Sequence, residues 1–185
     1  MLSKKQIQFY QDNGYLLVEK IFLPKEAELY RKEGHELINR LMQTTNVDST
    51  WGSAKEVLKK SVKTQVFHCH DVQFYSAVFS QLIVDDRLTG AVSDLMGSPN
   101  VQLHHTKMFI KPPEKGSPFP MHQDYHYFPH EKHSMMAAII HFDDAPLEKG
   151  CVRVVPGTHK LGPLEQKGEC LTCMVPPLQS PQSSP

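Results

Sequence analysis

Near Gly97 the hydrophobic period of this chain changes, and that change restricts the fold more than any other feature. Before it, apolar residues recur at helical spacing: Ile7, Phe9 and Tyr10; then Ala27, Leu29, Tyr30, Leu37, Ile38 and Leu41; then Phe74, Val78, Leu82 and Ile83; then Leu88, Val92, Leu95 and Met96. After it, the apolar runs are short and divided by Pro and Gly, as strands are. Helices followed by strands, rather than alternating with them, define an α+β chain.

Local signals set the expected elements. Ser3 with Gln6 fits a capping box and Gly14 a left-handed stop, which predicts a helix over about residues 4–12. Tyr15-Leu16-Leu17-Val18 reads as a short buried strand, and Pro24 opens a helix over about 25–43 with His35 as a half-buried packing residue. Residues 44–60 are polar, a loop or lid over which Trp51 packs, and Asp85 and Asp86 read as a cap and turn between two helices within 72–96. Strands are expected over 101–110, through the segment that begins at Met121, over 135–142 and over 151–155. The third is nearly all apolar, so burial on both faces is expected. Pro156-Gly157-Thr158 is its successor's turn.

Composition excludes several classes. A chain of 185 residues with 39% hydrophobic content suits one domain with a real core. The 20 basic and 20 acidic residues cancel, leaving no field to draw nucleic acid or an anionic membrane surface. No run is long enough to span a membrane. The absence of a signal, transit or C-terminal peroxisomal motif, together with Cys69, Cys151, Cys170 and Cys173 read as free thiols, points to the cytoplasm. Cys170-Leu171-Thr172-Cys173 is half a zinc site at most, because a structural zinc takes four ligands.

The chemistry is concentrated in Met121-His122-Gln123-Asp124-Tyr125-His126. In extended chain alternate side chains share a face, so His122 and Asp124 project together, close enough to share a cation. One imidazole and one carboxylate, joined by a second histidine, make the facial triad of non-haem Fe(II) oxygenases. His126 would lie on the same face only if the strand ran on unbroken.

These residues do not stand alone. His122-Gln123-Asp124, His126-Tyr127-Phe128-Pro129, Gly150-Cys151 and Val155-Pro156-Gly157-Thr158-His159-Lys160, in that order, resemble the phytanoyl-CoA hydroxylase family of iron(II)- and 2-oxoglutarate-dependent dioxygenases. Lys111-Pro112-Pro113 and Phe9-Tyr10-x-x-x-Gly14-Tyr15 extend the resemblance over roughly residues 3–165. It implies a partial double-stranded β-helix, jelly-roll-like and cupin-type, with the N-terminal helices packed outside. Residues 1–165 would be one domain, incomplete at its C-terminal end, and 166–185 an unstructured, divergent tail.

The resemblance also implies a site. His122 and Asp124 would ligate Fe(II), 2-oxoglutarate would be the cosubstrate, and ascorbate a supporting reductant. The cosubstrate contacts would come from Lys63 in Lys63-x-Gln65-x-Phe67, from Lys107 or Met108, and from Gln123. The substrate would be a lipid acyl or other small organic molecule. The family's phytanoyl-CoA-hydroxylating members carry a tryptophan where this chain has Ile140, which puts that particular substrate in doubt.

The family's third metal ligand is a histidine on a late strand, followed by an arginine for the distal carboxylate of 2-oxoglutarate. No histidine follows His159 here and no arginine follows Arg153. The family does not use its histidine at the position of His126 as that ligand. The resemblance therefore implies a shortened or alternatively spliced form, inactive by itself, with unpaired strand edges open to a protein partner or to self-association. Two other readings stand beside it: a non-catalytic family member that binds metal, 2-oxoglutarate or a partner protein, and a β-rich binding domain in which His122 and Asp124 merely pair.

Overall fold

The computed structural model describes residues 1–43, 68–111, 121–132 and 134–164, together with the strand pairing of 166–167 with 170–171. Lys63 and Trp51 lie outside the described residues, as do Pro112 and Pro113. Helix α1 runs over Lys4–Asn13, with the Ser3 hydroxyl accepting from the Gln6 amide, the Gln6 side chain returning the bond, and Gly14 closing the helix at φ 80°. Helix α2 runs over Pro24–Met42 with proline in its first turn. Both match the sequence expectation to within a residue or two. Two short helices follow, α3 over Ala77–Leu82 and α4 over Asp86–Met96, capped by the Ser76 hydroxyl and the Asp85 carboxylate respectively.

The register of α3 differs from the sequence reading. The Ser76 cap starts the helix after a 3-10 turn at Val72–Phe74, so Phe74 is left 81% exposed and Phe79 becomes the buried residue. Phe79 and Leu37 are each 1% exposed, and with Tyr30, Leu41, Cys69, Val72, Leu82 and Met108 they form the core. Phe79 stacks on Phe142 with ring centroids 5.4 Å apart. The turn after Phe142 is fastened to α2, because Asp143 accepts from the Arg31 guanidinium at 2.8 Å and pairs with His35 at 3.0 Å. His35 is therefore exposed, with its ring hydrogen-bonded to the Asp143 carboxylate, rather than a half-buried packing residue.

The strand content departs most from expectation. Strand β1, His68–His70, pairs antiparallel with β2, Lys107–Phe109, placing His70 opposite Lys107. A second antiparallel pair joins β3, Gln166–Lys167, to β4, Cys170–Leu171. Within 101–110 only Lys107–Phe109 is strand, within 151–155 only Val154 makes a bridge, and the described residues of 15–18 and 135–142 carry no ladder. Alternation shows which faces a segment presents, but a strand exists only where a neighbour supplies the other half of each hydrogen bond. The 135–142 segment is also one-sided: Ile140 and Phe142 pack on the core while Ile139 is 58% exposed, which corrects the expectation of burial on both faces. No described helix is long and apolar enough to cross a membrane.

An ionic junction holds α4 to the start of α2. The Arg87 guanidinium donates to Glu26 at 2.8 and 3.0 Å and to Asp85 at 2.7 and 2.9 Å, and it lies 4.9 Å from the centre of the Phe22 ring. Bonds from Arg87, aided for Glu26 by the Leu23 amide, hold both carboxyls at about 2. A carboxyl whose folded pKa is depressed stabilises the fold above its unfolded value and loses that contribution as pH falls through the folded one. The junction's contribution is expected to be full above about pH 5 and to disappear toward about pH 2. Urea titrations across that range should show a smaller acid dependence in Arg87→Met, whereas an unchanged slope would assign the acid sensitivity elsewhere.

Candidate metal centre and adjoining cavity

Gln123 is extended, at φ −109° and ψ 134°, so its two neighbours fall on one side of the chain. His122 Nε2 and Asp124 Oδ1 are 3.3 Å apart. The expectation that these two converge holds for that reason. The unbroken strand does not form: the chain curls at Asp124 into a 3-10 turn over Asp124–His126, with the amides of Tyr127 and Phe128 donating to the Asp124 carbonyl at 2.9 and 3.0 Å. The turn removes the strand alternation that would have put His126 beside the pair, and its ring lies edge-on to Tyr125 instead, 6.2 Å between centroids.

The electrostatics favour an ionised carboxylate. The bond from His122 lowers the Asp124 pKa, burial opposes it, and the charges of His122 and His105 add to the lowering. His105 was legible only as a strand residue. Its ring centroid lies 6.5 Å from that of His70, and the ladder sets Lys107 opposite His70. The rings of His104 and His105 both pack on Phe128, at 5.1 and 5.0 Å, which seats the 101–106 segment against the His126-Tyr127-Phe128-Pro129 turn. Among the described residues, no group of three or more His, Cys, Asp and Glu side chains is placed to hold a metal ion.

The other expected site residues are distributed unevenly. Met108 is 8% exposed and belongs to the core. Lys107, on the opposite face, is half-buried with its ammonium 4.7 Å from the centre of the Phe109 ring, and burial pushes its pKa down. Gln123 turns its amide away from the pair, donating to the Gly162 carbonyl at 3.1 Å and accepting from the Leu164 amide at 2.9 Å. Ile140 packs against the core cluster.

Beside His122 lies a cavity of about 170 Å³, walled by Asn13 and Tyr15 at the end of α1, by Arg153 and Val155, and by Thr158 and His159 of the Pro-Gly-Thr-His turn. The turn is locked onto α1. The Gly157 amide donates to the Asn13 carbonyl at 2.8 Å, His159 Nε2 bonds the Gln11 carbonyl at 3.0 Å, and Lys160 pairs with Asp12 at 3.7 Å. Two stretches of the motif set nearly 150 positions apart thus meet as one wall of the cavity.

His122 lines this cavity, and the Asp124 carboxylate stands 3.3 Å from its Nε2. Residues 10–172 match the phytanoyl-CoA dioxygenase (PhyH) family, and the chain belongs to that family. It is 28% identical over 173 residues to the peroxisomal phytanoyl-CoA dioxygenase of Bos taurus, covering 89% of this chain and 50% of that protein. It is 27% identical over 163 residues to the ectoine dioxygenase of Streptomyces anulatus, covering 86% and 52%. Among solved structures it resembles EctD from S. alaskensis with 2-oxoglutarate and 5-hydroxyectoine, at TM-score 0.57 and 22% identity, over 67% of this chain and 41% of that one. The chain spans about half the length of the relatives it matches.

Proposed function

We propose that this chain carries the His-x-Asp half of an iron(II)- and 2-oxoglutarate-dependent dioxygenase site acting on a lipid acyl or other small organic substrate. The reading rests on the 3.3 Å approach of His122 Nε2 to Asp124 Oδ1, with His122 also lining the cavity. Two neighbouring donors on an octahedral ion, each about 2.1 Å from it, stand about 3 Å apart, so the pair fits a shared cation. When bound, iron and 2-oxoglutarate supply the oxidative chemistry, and the protein binds and orients. His122 and Asp124 would hold the metal. Lys107 is the favoured cosubstrate contact over Met108, whose side chain is committed to the core; Lys63 is retained from the resemblance alone.

The same reading takes the fold to be a partial double-stranded β-helix with the helices outside it. It takes residues 1–165 as the domain and 166–185 as a divergent tail, which is not unstructured throughout as expected, since β3 and β4 pair at its start. The free thiols of Cys69 and Cys151 support a reducing compartment, the cytoplasm. Exposed apolar side chains such as Phe109 and Ile139 support a protein partner or self-association.

Among the described residues two donors do not complete a facial triad, and this favours a second reading in which the chain binds without turnover. Equilibrium dialysis separates the cases. 2-Oxoglutarate should be retained only when Mn(II) is present, and not by His122→Ala or Asp124→Ala; retention indifferent to metal would remove the dioxygenase reading. In an assay with Fe(II), ascorbate and 2-oxoglutarate, succinate from the chain should not exceed that from His122→Ala. Iron-dependent succinate above that control would mean that the chain supplies the third donor itself, and His126 would be the first residue to replace.

A further inference from the structure

We propose that Gln123 is a positioning residue: its side-chain amide clips the His122–Asp124 segment to residues 162–164 and so sets the spacing of the two donors. The inference rests on the metal reading of that pair, and it reassigns Gln123 from cosubstrate contact to strap.

Both halves of the amide are committed to backbone. The Nε2 donates to the Gly162 carbonyl at 3.1 Å and the Oε1 accepts from the Leu164 amide at 2.9 Å, so the side chain bridges two backbone groups with opposite needs, as a neighbouring strand would. Because Gln123 is extended, this outward anchoring and the shared side of His122 and Asp124 are two consequences of one conformation. Fixing the middle side chain on one face fixes its neighbours on the other.

The anchor is itself fixed. Residues 157–160 are bound to the end of α1 by the Gly157 amide, the His159 ring and the Lys160 ammonium, and the chain runs directly from there to Gly162 and Leu164. At the other side of Gln123, its own carbonyl accepts from the His126 amide at 3.4 Å, opening the turn that carries Asp124. The donors are thus tied through the Gln123 side chain to α1, while Phe128 of their turn packs on His104 and His105. Groups that orient metal ligands without touching the metal typically change affinity about 10–100-fold when removed.

The test uses the full chain and three variants. Gln123→Met keeps the length and removes both bonds; Leu164→Pro removes the amide that Gln123 accepts from without altering Gln123; Leu164→Ala keeps that amide. Two readouts are taken: the Mn(II) dissociation constant, and hydrogen exchange of the Tyr127 and Phe128 amides. A positioning role predicts that Gln123→Met and Leu164→Pro each weaken Mn(II) about tenfold or more, that the double variant is no worse than either, and that Leu164→Ala resembles wild type. Both damaging variants should also speed exchange at Tyr127 and Phe128 by about tenfold. If Gln123→Met alone weakens Mn(II) while Leu164→Pro does not, Gln123 acts by contact and the strap is wrong. If the wild-type chain takes no Mn(II), the metal reading falls, and exchange at Tyr127 and Phe128 still decides the strap: unchanged rates in Gln123→Met would overturn it.

Discussion

Gly14→Ala is expected to destabilise the chain by about 2–5 kcal/mol, with a rescue that depends on His159. The position fails for alanine on two separate counts. Its φ of 80° is left-handed, which costs an L residue roughly 1–2 kcal/mol. A Cβ built there would also lie 2.4 Å from Nδ1 of His159 and 2.6 Å from its Cγ, inside any real contact. The ring can retreat only by giving up its bond to the Gln11 carbonyl, which loosens the turn that walls the cavity. Urea unfolding of Gly14→Ala, His159→Ala and the double variant measures the coupling. The double variant should be less destabilised than the two single effects together, retaining the backbone cost while losing the collision. Strict additivity would mean that the two residues do not meet in solution.

Phe79→Ala is expected to cost about 3–5 kcal/mol, a large part of the roughly 5–15 kcal/mol that a domain of this size has. Phe79 is 1% exposed at the centre of the core, and its ring stacks on Phe142. Removing it opens a cavity between α2, α3 and the 135–142 segment, and frees the residue that delivers Asp143 to Arg31 and His35. Phe79→Leu should recover more than half of the loss, since it refills most of the volume. A loss below about 1 kcal/mol for the alanine variant would show that Phe79 is not at the core's centre.

What was legible in the sequence follows the range of the interactions involved. Helix α1 was readable because Ser3, Gln6 and Gly14 are local signals acting within the helix they bound. Pro24 and Asp85 marked two further starts for the same reason. The core aromatic is Phe79 rather than Phe74 because the Ser76 cap, not the apolar period, sets the register of α3. The strands were over-read: alternation is local, but β1 finds its partner β2 nearly 40 residues later, and residues such as Leu103 and Val152 are exposed rather than laddered. At the site, the convergence of His122 and Asp124 was legible from period alone, because it needs only one extended residue between them. The locking of Gly14 under His159 is hidden in the sequence, since nothing in either residue's motif says that the two touch.

His122 and Asp124 are expected to form a cation site. Calorimetric titration of the purified chain with Mn(II), beside His122→Ala and Asp124→Ala, tests it most directly. One Mn(II) per wild-type chain is expected, with no measurable binding by either variant. Stoichiometric binding retained by both variants would place the cation elsewhere and contradict it.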